Sequence, residues 1–268
     1  MSSRPTPMEA LAGNPATSGL VLDFDGVLSP IIKDPAASRL PDGVAASLGR
    51  LARTLGLLAV ISGRPVEFLA DRIPIPGVYL LGSYGMEQIR DGVRRVDPDT
   101  KKWLGPVREA SRALRDLLGT SQGVVVEEKP VSVTVHWRQA PDQATAARDV
   151  RRATAQIADE TGLRLASGKL AEELLPPIDV DKGSALVTLL ASKDLTTVAY
   201  AGDDVGDIPA LRAVREAGGY ALVVDHGDET DPLLLKLADQ TYAGTDRFAA
   251  WLADLATLRL MSSAHPFG

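Results

Sequence analysis

Two aspartates one residue apart, Asp23 and Asp25, close the short apolar run Leu20-Val21-Leu22, and Gly26 follows them. In an extended chain, side chains two residues apart point the same way. Both carboxylates can therefore approach one substrate. One could attack phosphorus and form an aspartyl phosphate. The other could protonate the leaving oxygen and then take a proton from the hydrolytic water. Gly26 would let the backbone come close to a phosphate. On its own, Asp-x-Asp-Gly reads as readily as a turn.

Three further groups lie downstream. Ser62-Gly63-Arg64 offers a hydroxyl and free backbone N–H groups at a helix start, a natural phosphate cradle, or else a plain N-cap. Gly202-Asp203-Asp204-Val205-Gly206-Asp207 crowds three carboxylates into five residues. Such crowding is costly without a cation. Oxygen-only ligands suit Mg²⁺, which keeps several waters and binds through few carboxylates plus substrate phosphate. The plainer reading is an acidic, solvated turn. Lys182-Gly183 precedes a helical stretch, where a lysine could offset the charge of Asp23 and of a phosphate.

These groups need elements to position them. Near-continuous apolar runs at Leu20–Leu22, Leu57–Ile61, Val78–Leu81 and Val198–Ala201 each end in small or polar residues. Such runs suit strands buried on both faces. Val44–Leu55, Val66–Arg72 and Ser184–Ser192 carry apolar residues at helical spacing between them. Strands alternating with helices imply an α/β fold, a Rossmann-like parallel sheet with helices on both faces. Ligands of such sheets sit beyond the carboxyl ends of the strands, where these polar residues fall.

The middle of the chain differs. Trp103–Leu118 reads as a helix, Gly123–Val126 and Val131–Trp137 as strands, Gln143–Thr161 as a long helix, and Leu163–Ala166 and Leu170–Leu175 as two more strands. The expectation is an inserted α+β domain over 99–177 in a core made of 1–98 and 178–268.

The series Asp23-x-Asp25-Gly26-Val27-Leu28, Ser62-Gly63-Arg64, Lys182-Gly183 and Gly202-Asp203-Asp204-x-x-Asp207 resembles the haloacid dehalogenase-type phosphatases in order and strand context. The resemblance implies Asp23 as nucleophile and Asp25 as acid and base. It implies Mg²⁺ held by the Asp23 side chain, the Asp25 carbonyl and Asp203, with Asp204 and Asp207 in support. Ser62, with Gly63, and Lys182 would hold the phosphoryl oxygens. The inserted domain would then be a cap that closes over substrate and excludes water.

Within the insertion, Glu127-Glu128-Lys129, His136-Trp137-Arg138 and Glu173-Leu174-Leu175-Pro176 are similar to segments of the trehalose-6-phosphate phosphatases. That likeness implies that Glu127, Lys129 and Glu173 bind sugar hydroxyls, with Arg138 a further candidate. Ammonium donors and carboxylate acceptors suit that task. The chain departs from the family pattern in carrying Tyr84 where a histidine is usual, Gly206-Asp207-Ile208 where Thr-Asp-Glu is usual, and a slightly long spacing from Glu173 to Lys182. The expectation is a trehalose-6-phosphate phosphatase. Its rivals are a phosphatase of sucrose phosphate or mannosyl phosphoglycerate, a phosphomutase, and a non-catalytic sugar-phosphate sensor.

Composition narrows the classes. The chain has 268 residues, 45% of them hydrophobic, enough for a packed core. A net charge of −6 argues against nucleic acid as the main partner, while leaving room for a small anionic substrate. With no cysteine, disulfides, Cys-ligated zinc and thiol nucleophiles are excluded. No apolar run suits a membrane helix, and the start of the chain lacks the apolar stretch of a secretory signal, so a cytoplasmic enzyme is expected. The first residues read as a loose polar arm with a short helical turn near Met8–Leu11, and the tail from Ser262 to Gly268 as loose.

Overall fold

The computed structural model describes residues 4–32, 35–168 and 170–262. Val96–Asp179 forms one compact unit, and the flanking segments, up to Arg95 and from Val180, form another. The sequence expectation placed these boundaries at 99 and 177.

The larger unit is built on an eight-stranded sheet. Its strands in chain order are β1 (Ser18–Leu22), β2 (Leu57–Ile61), β3 (Val78–Gly82), β4 (Glu87–Arg90), β5 (Val93–Val96), β10 (Thr197–Gly202), β11 (Tyr220–Asp225) and β12 (Gln240–Ala243). Their spatial order is β12-β11-β10-β1-β2-β3-β4-β5. All pairings from β12 to β3 are parallel, and β4 runs antiparallel to β3. The expectation of four parallel strands therefore falls short by β11 and β12.

Alternation along the central strands divides the core into two layers, as a period-two strand must. Leu20, Leu22, Leu58, Val60, Ala199, Ala201, Leu222 and Val224 pack on one face with helices α1 (Pro7–Gly13), α2 (Val44–Thr54), α3 (Val66–Arg72) and α10 (Gly244–Ser262). Val21, Ala59, Ile61, Val198, Tyr200, Ala221 and Val223 pack on the other with α7 (Lys182–Ala191), α8 (Ile208–Glu216) and α9 (Pro232–Leu237). Burying each large apolar side chain contributes about 1.5–3 kcal/mol. The central strands are thus the best-anchored part of the unit, and they carry the polar residues at their ends.

The N-terminal segment is ordered rather than loose. Thr6 and Glu9 form a reciprocal capping box on α1. Arg4 Nη2 donates to the carbonyls of Gly218 and Gly219 at 2.9 and 2.6 Å, and its guanidinium lies 3.9 Å from the Tyr220 ring centroid. At the other end α10 continues to Ser262, and the rest of the tail lies outside the described residues.

The smaller unit contains α4 (Pro98–Lys101), α5 (Leu104–Leu118), β6 (Val125–Glu128), β7 (Val133–His136), α6 (Gln143–Thr161), β8 (Arg164–Gly168) and β9 (Ala171–Leu175). The strands form an antiparallel sheet in the order β6-β7-β9-β8. Val107, Leu114, Val133, Val135, Val150, Ile157 and Leu174 fill the layer between α5, α6 and one sheet face. No described helix in either unit is long and apolar enough to cross a membrane.

Candidate active site

Three neighbouring strands end side by side at the centre of the large sheet. β1 lies between β10 and β2, so Asp203, Asp23 and Ser62, each just past its strand, come together. The Asp23 N–H continues the ladder by donating to the Ala201 carbonyl at 2.9 Å. Asp23, Ser62, Lys182 and Asp203 are all buried. They form the floor of a cavity of about 390 Å³, whose lining also includes Asp25, Ile31, Gly63, Arg64, Tyr84 and Asp204.

Lys182 is the cation of this floor. As the first residue of α7 it follows Asp181, which caps the helix through Ser184. Its Nζ lies 2.9 Å from Asp23 Oδ2 and 2.8 Å from Asp207 Oδ1. Burial opposes the ammonium charge, yet Asp23 and Asp207 outweigh it and hold Lys182 firmly protonated. Asp207 is saturated. Its Oδ1 accepts from Lys182 and, at 2.6 Å, from the buried Tyr200 hydroxyl, while its Oδ2 accepts the N–H groups of Asp203 and Asp204 at 3.0 and 3.2 Å. Burial would raise the Asp207 carboxyl, but Lys182 and these donors bring it below the usual range.

Asp23 and Asp203 behave oppositely. Burial first, against the pull of Lys182 and with repulsion from Asp207, pushes Asp23 up to about 8. Burial and repulsion from Asp23 and Asp207 push Asp203 up to about 9. Asp23, Asp203 and Asp207 offer oxygens within 4.8 Å of one another, a group that could hold a metal ion. Within it, Asp203 Oδ1 is buried and without a hydrogen-bond partner. A buried carboxylate oxygen with no donor, beside a second carboxylate that resists ionisation, fits a hard cation. Asp207, with four donors on its two oxygens, also positions Lys182. Asp204 is exposed, and its Oδ1 caps the turn at Gly206 N at 2.8 Å.

Asp25 points elsewhere. Arg64 grips it with Nε–Oδ2 at 2.7 Å and Nη2–Oδ1 at 2.9 Å, and the guanidinium lies 4.6 Å from the Phe68 ring centroid. Gly26 packs closely against Asp203. Its φ is +77°, and a Cβ there would lie 1.9 Å from Asp203 Oδ2. The glycine is needed because the Asp203 carboxylate occupies that space. His226, on the loop after β11, went unnoticed in the sequence. Its Nε2 is 2.9 Å from the Gly26 carbonyl, to which it can only donate, and 3.6 Å from Asp203 Oδ2. Ser62 Oγ is 3.2 Å from Arg64 N, the arrangement of a small capped turn.

In the smaller unit, register places Glu127 opposite Thr134 and Thr134 opposite Glu173 on one row of the sheet. Glu173 Oε1 accepts from Lys129 Nζ at 3.0 Å and from Ser132 Oγ at 2.7 Å, and Glu127 Oε2 lies 2.9 Å from His136 Nε2. Glu127, Lys129 and Glu173 are thus gathered on one side of the sheet. Arg138 is not among them; it is exposed, on the turn after β7, where its carbonyl accepts from Gln143 at 3.0 Å. Thr134 was not singled out by sequence. Its Oγ1 is buried with no partner, between the two glutamates of the row.

The family profile described as trehalose-phosphatase matches residues 21–232. The chain belongs to that family. A trehalose-phosphate phosphatase of Mycobacterium avium is 35% identical over 246 residues, covering 86% of this chain and 62% of that protein. The chain thus spans about three fifths of the length of this relative. The fold is shared with a crystal structure described as a trehalose-6-phosphate phosphatase related protein, at TM-score 0.77, 22% identity and coverage of 91% and 99%. It is shared also with a haloacid dehalogenase-like hydrolase from Bacteroides thetaiotaomicron, at TM-score 0.62, 17% identity and coverage of 89% and 99%.

As a member of the trehalose-phosphatase family, the chain keeps its leading aspartates, Ser62, Lys182 and Asp203 at one end of one sheet. The residues the sequence did not single out, Tyr200, His226 and Thr134, can serve many roles, and which one depends on what they face. No local pattern marks them.

Proposed function

We propose that this chain hydrolyses trehalose 6-phosphate to trehalose and phosphate through an aspartyl phosphate on Asp23. The observation that carries the reading is the buried pairing of Asp23 with Lys182 beside the donor-free oxygen of Asp203. Membership of the trehalose-phosphatase family supports the substrate. A sensor would have no use for a nucleophile so placed.

Asp23 carries the attack. An oxygen of its carboxylate bonds to phosphorus as the bond from phosphorus to the sugar oxygen breaks. The leaving oxygen takes a proton from Asp25. Water then attacks the same phosphorus and gives its proton to Asp25, while the bond to Asp23 breaks and the carboxylate is restored. Lys182 neutralises the gathering negative charge, held in place by Asp207, and Ser62 with Gly63 cradles the phosphoryl oxygens. Mg²⁺, held by Asp23, Asp203 and the Asp25 carbonyl, would supply charge neutralisation. Asp204 and Asp207 act in support of that site, Asp207 through its hydrogen bonds.

The Asp25–Arg64 pair loosens during this cycle, as an Asp25 oxygen turns from the guanidinium towards the leaving oxygen. Residues 96–179 serve as the substrate-recognising cap. Glu127, Lys129 and Glu173 take the sugar hydroxyls. Arg138 stands outside this group. The test is phosphate release from a panel of sugar phosphates, with and without Mg²⁺. Preference for another sugar phosphate would overturn the substrate, and release independent of any divalent cation would overturn the cofactor.

A further inference from the structure

The loop after β3 holds two consecutive non-glycine residues in the left-handed region, Ser83 at φ 50° and Tyr84 at φ 61°. L-residues adopt this conformation at a cost and keep it where the surroundings enforce it, often at functional sites. Here the enforcement is explicit. Ser83 N donates to the Arg64 carbonyl at 2.7 Å and Tyr84 N to the Ser62 carbonyl at 2.9 Å. Ser83 Oγ donates at 3.0 Å to the fully buried Glu87, whose other oxygen accepts from Arg94 at 2.7 Å. The strained pair is thereby stitched to the Ser62-Gly63-Arg64 loop.

The result is a fixed place for one ring. A Cβ on Gly63 would meet Cζ and Oη of Tyr84 at 2.9 Å, so the ring tip sits over the bare Cα of Gly63. Tyr84 also lines the cavity above Asp23. Burial sorts that lining into two levels. Asp23, Ser62, Lys182 and Asp203 form the buried floor, whereas Tyr84, Asp25, Arg64 and Ile31 are partly or largely exposed and form the rim. The floor holds the nucleophile and the cation, and so receives the phosphoryl group. Whatever phosphorus is bonded to must pass the rim. An aromatic ring offers a face to sugar C–H groups and a hydroxyl to sugar oxygens.

Resting on the phosphatase reading above, we propose that Tyr84 is a specificity-determining residue, the wall against which the alcohol part of the phosphate ester lies. Its strained backbone is retained because it aims the ring over Gly63.

The experiment uses the full chain with Mg²⁺ and two phosphoryl donors, trehalose 6-phosphate and acetyl phosphate, whose leaving group is small. Tyr84→Gly and Tyr84→Asn both accept a positive φ, and thermal melts check that each is folded. Tyr84→Phe keeps the ring and removes the hydroxyl. The expected result is that Tyr84→Gly and Tyr84→Asn lower kcat/KM for the sugar phosphate at least about ten-fold more than for acetyl phosphate, the scale of lost pocket contacts. Tyr84→Phe should fall between these variants and the unmodified protein. Equal losses on both donors would overturn the proposal, because Tyr84 would then act on the phosphoryl loop. No loss on either would overturn it too, leaving a wall without a ligand. The unmodified protein judges the underlying reading separately. If it releases phosphate from neither donor, that reading fails and the proposal with it. If it prefers another sugar phosphate, the trehalose assignment alone fails, and the same ratio is measured on the preferred substrate.

Discussion

Arg64 and Asp25 form a two-point fork, Nε to Oδ2 at 2.7 Å and Nη2 to Oδ1 at 2.9 Å, so each oxygen of the carboxylate read from sequence as acid and base already accepts one N–H. The fork sets the rotamer of Asp25, and turning an oxygen towards the leaving group loosens it. Arg64→Ala and Asp25→Asn should therefore be non-additive. A double-mutant cycle on kcat/KM for trehalose 6-phosphate should give a coupling of about 0.5–3 kcal/mol. Additive losses would show that the two residues act independently and that the fork is incidental. Asp25→Asn alone should slow both formation and hydrolysis of the aspartyl phosphate, measured by rapid-quench trapping. Near-normal turnover in that variant would remove Asp25 from the proton transfer.

Asp23 and the cation should both be indispensable. Asp23→Asn keeps the shape of the side chain and removes the attacking charge, so turnover should fall by several orders of magnitude and no phosphoenzyme should be trapped. Excess chelator should abolish phosphate release, and added Mg²⁺ should restore it. Substantial turnover by Asp23→Asn would leave only direct attack by water.

The raised Asp23 and Asp203 carboxyls dictate a pH dependence of the metal-free protein. In the unfolded chain these groups lose their protons near the ordinary carboxylate range, whereas in the folded chain they keep them up to about 8 and about 9. Between those limits the folded state binds more protons than the unfolded state, so stability falls as pH rises, by at most about 1.4 kcal/mol per pH unit for each proton. In chelator, the Tm should drop between about pH 5 and about pH 9. Saturating Mg²⁺ should flatten the curve, because a bound cation replaces the protons. A Tm that holds steady or climbs over that window in chelator would contradict the electrostatic account of the floor.

Lys129 and Glu173 meet at 3.0 Å in the smaller unit and are assigned to sugar hydroxyls. Truncating a charged group that bonds a buried hydroxyl costs about 1.5–3 kcal/mol, roughly ten- to a hundred-fold in kcat/KM. Lys129→Ala and Glu173→Ala should show that loss on trehalose 6-phosphate and a much smaller one on a small aryl phosphate. Arg138→Ala, on its exposed turn, should stay within about two-fold on both. Matching losses on the two substrates would assign Lys129 and Glu173 to the fold instead of the sugar.

Local patterns in the sequence were enough for the parallel core and its chemistry. β2, α3 and α6 begin and end where hydrophobic periodicity puts them, and β1, β3 and β10 differ by at most two residues at either end. Strands buried on both faces must be apolar throughout, which makes them visible without knowledge of their neighbours. The same holds for Asp23, Ser62 and Asp203, because the end of a parallel strand is a defined place. β4, β5 and β12 are short strands towards the sheet edges with mostly polar or exposed residues, so they carry no such signature. β11 does carry one in Tyr220–Val224, and Asp225 and His226 follow it, but neither belongs to a spacing that by itself points to phosphate chemistry.

Partner choice was decided by the tertiary structure alone. Asp207, expected in support of a metal, is also the anchor of Lys182, because Tyr200 and two backbone N–H groups come to its oxygens. Gly26, expected to let the backbone approach a phosphate, also makes room with its bare Cα for the Asp203 carboxylate. Arg64 finds Asp25 across 39 residues, and His226 finds the Gly26 carbonyl across 200. A sequence names which groups can donate, accept or carry charge. Which of them are desolvated together, and therefore which must pair or remain short of a partner, is set only when distant strand ends are brought to one edge of the sheet.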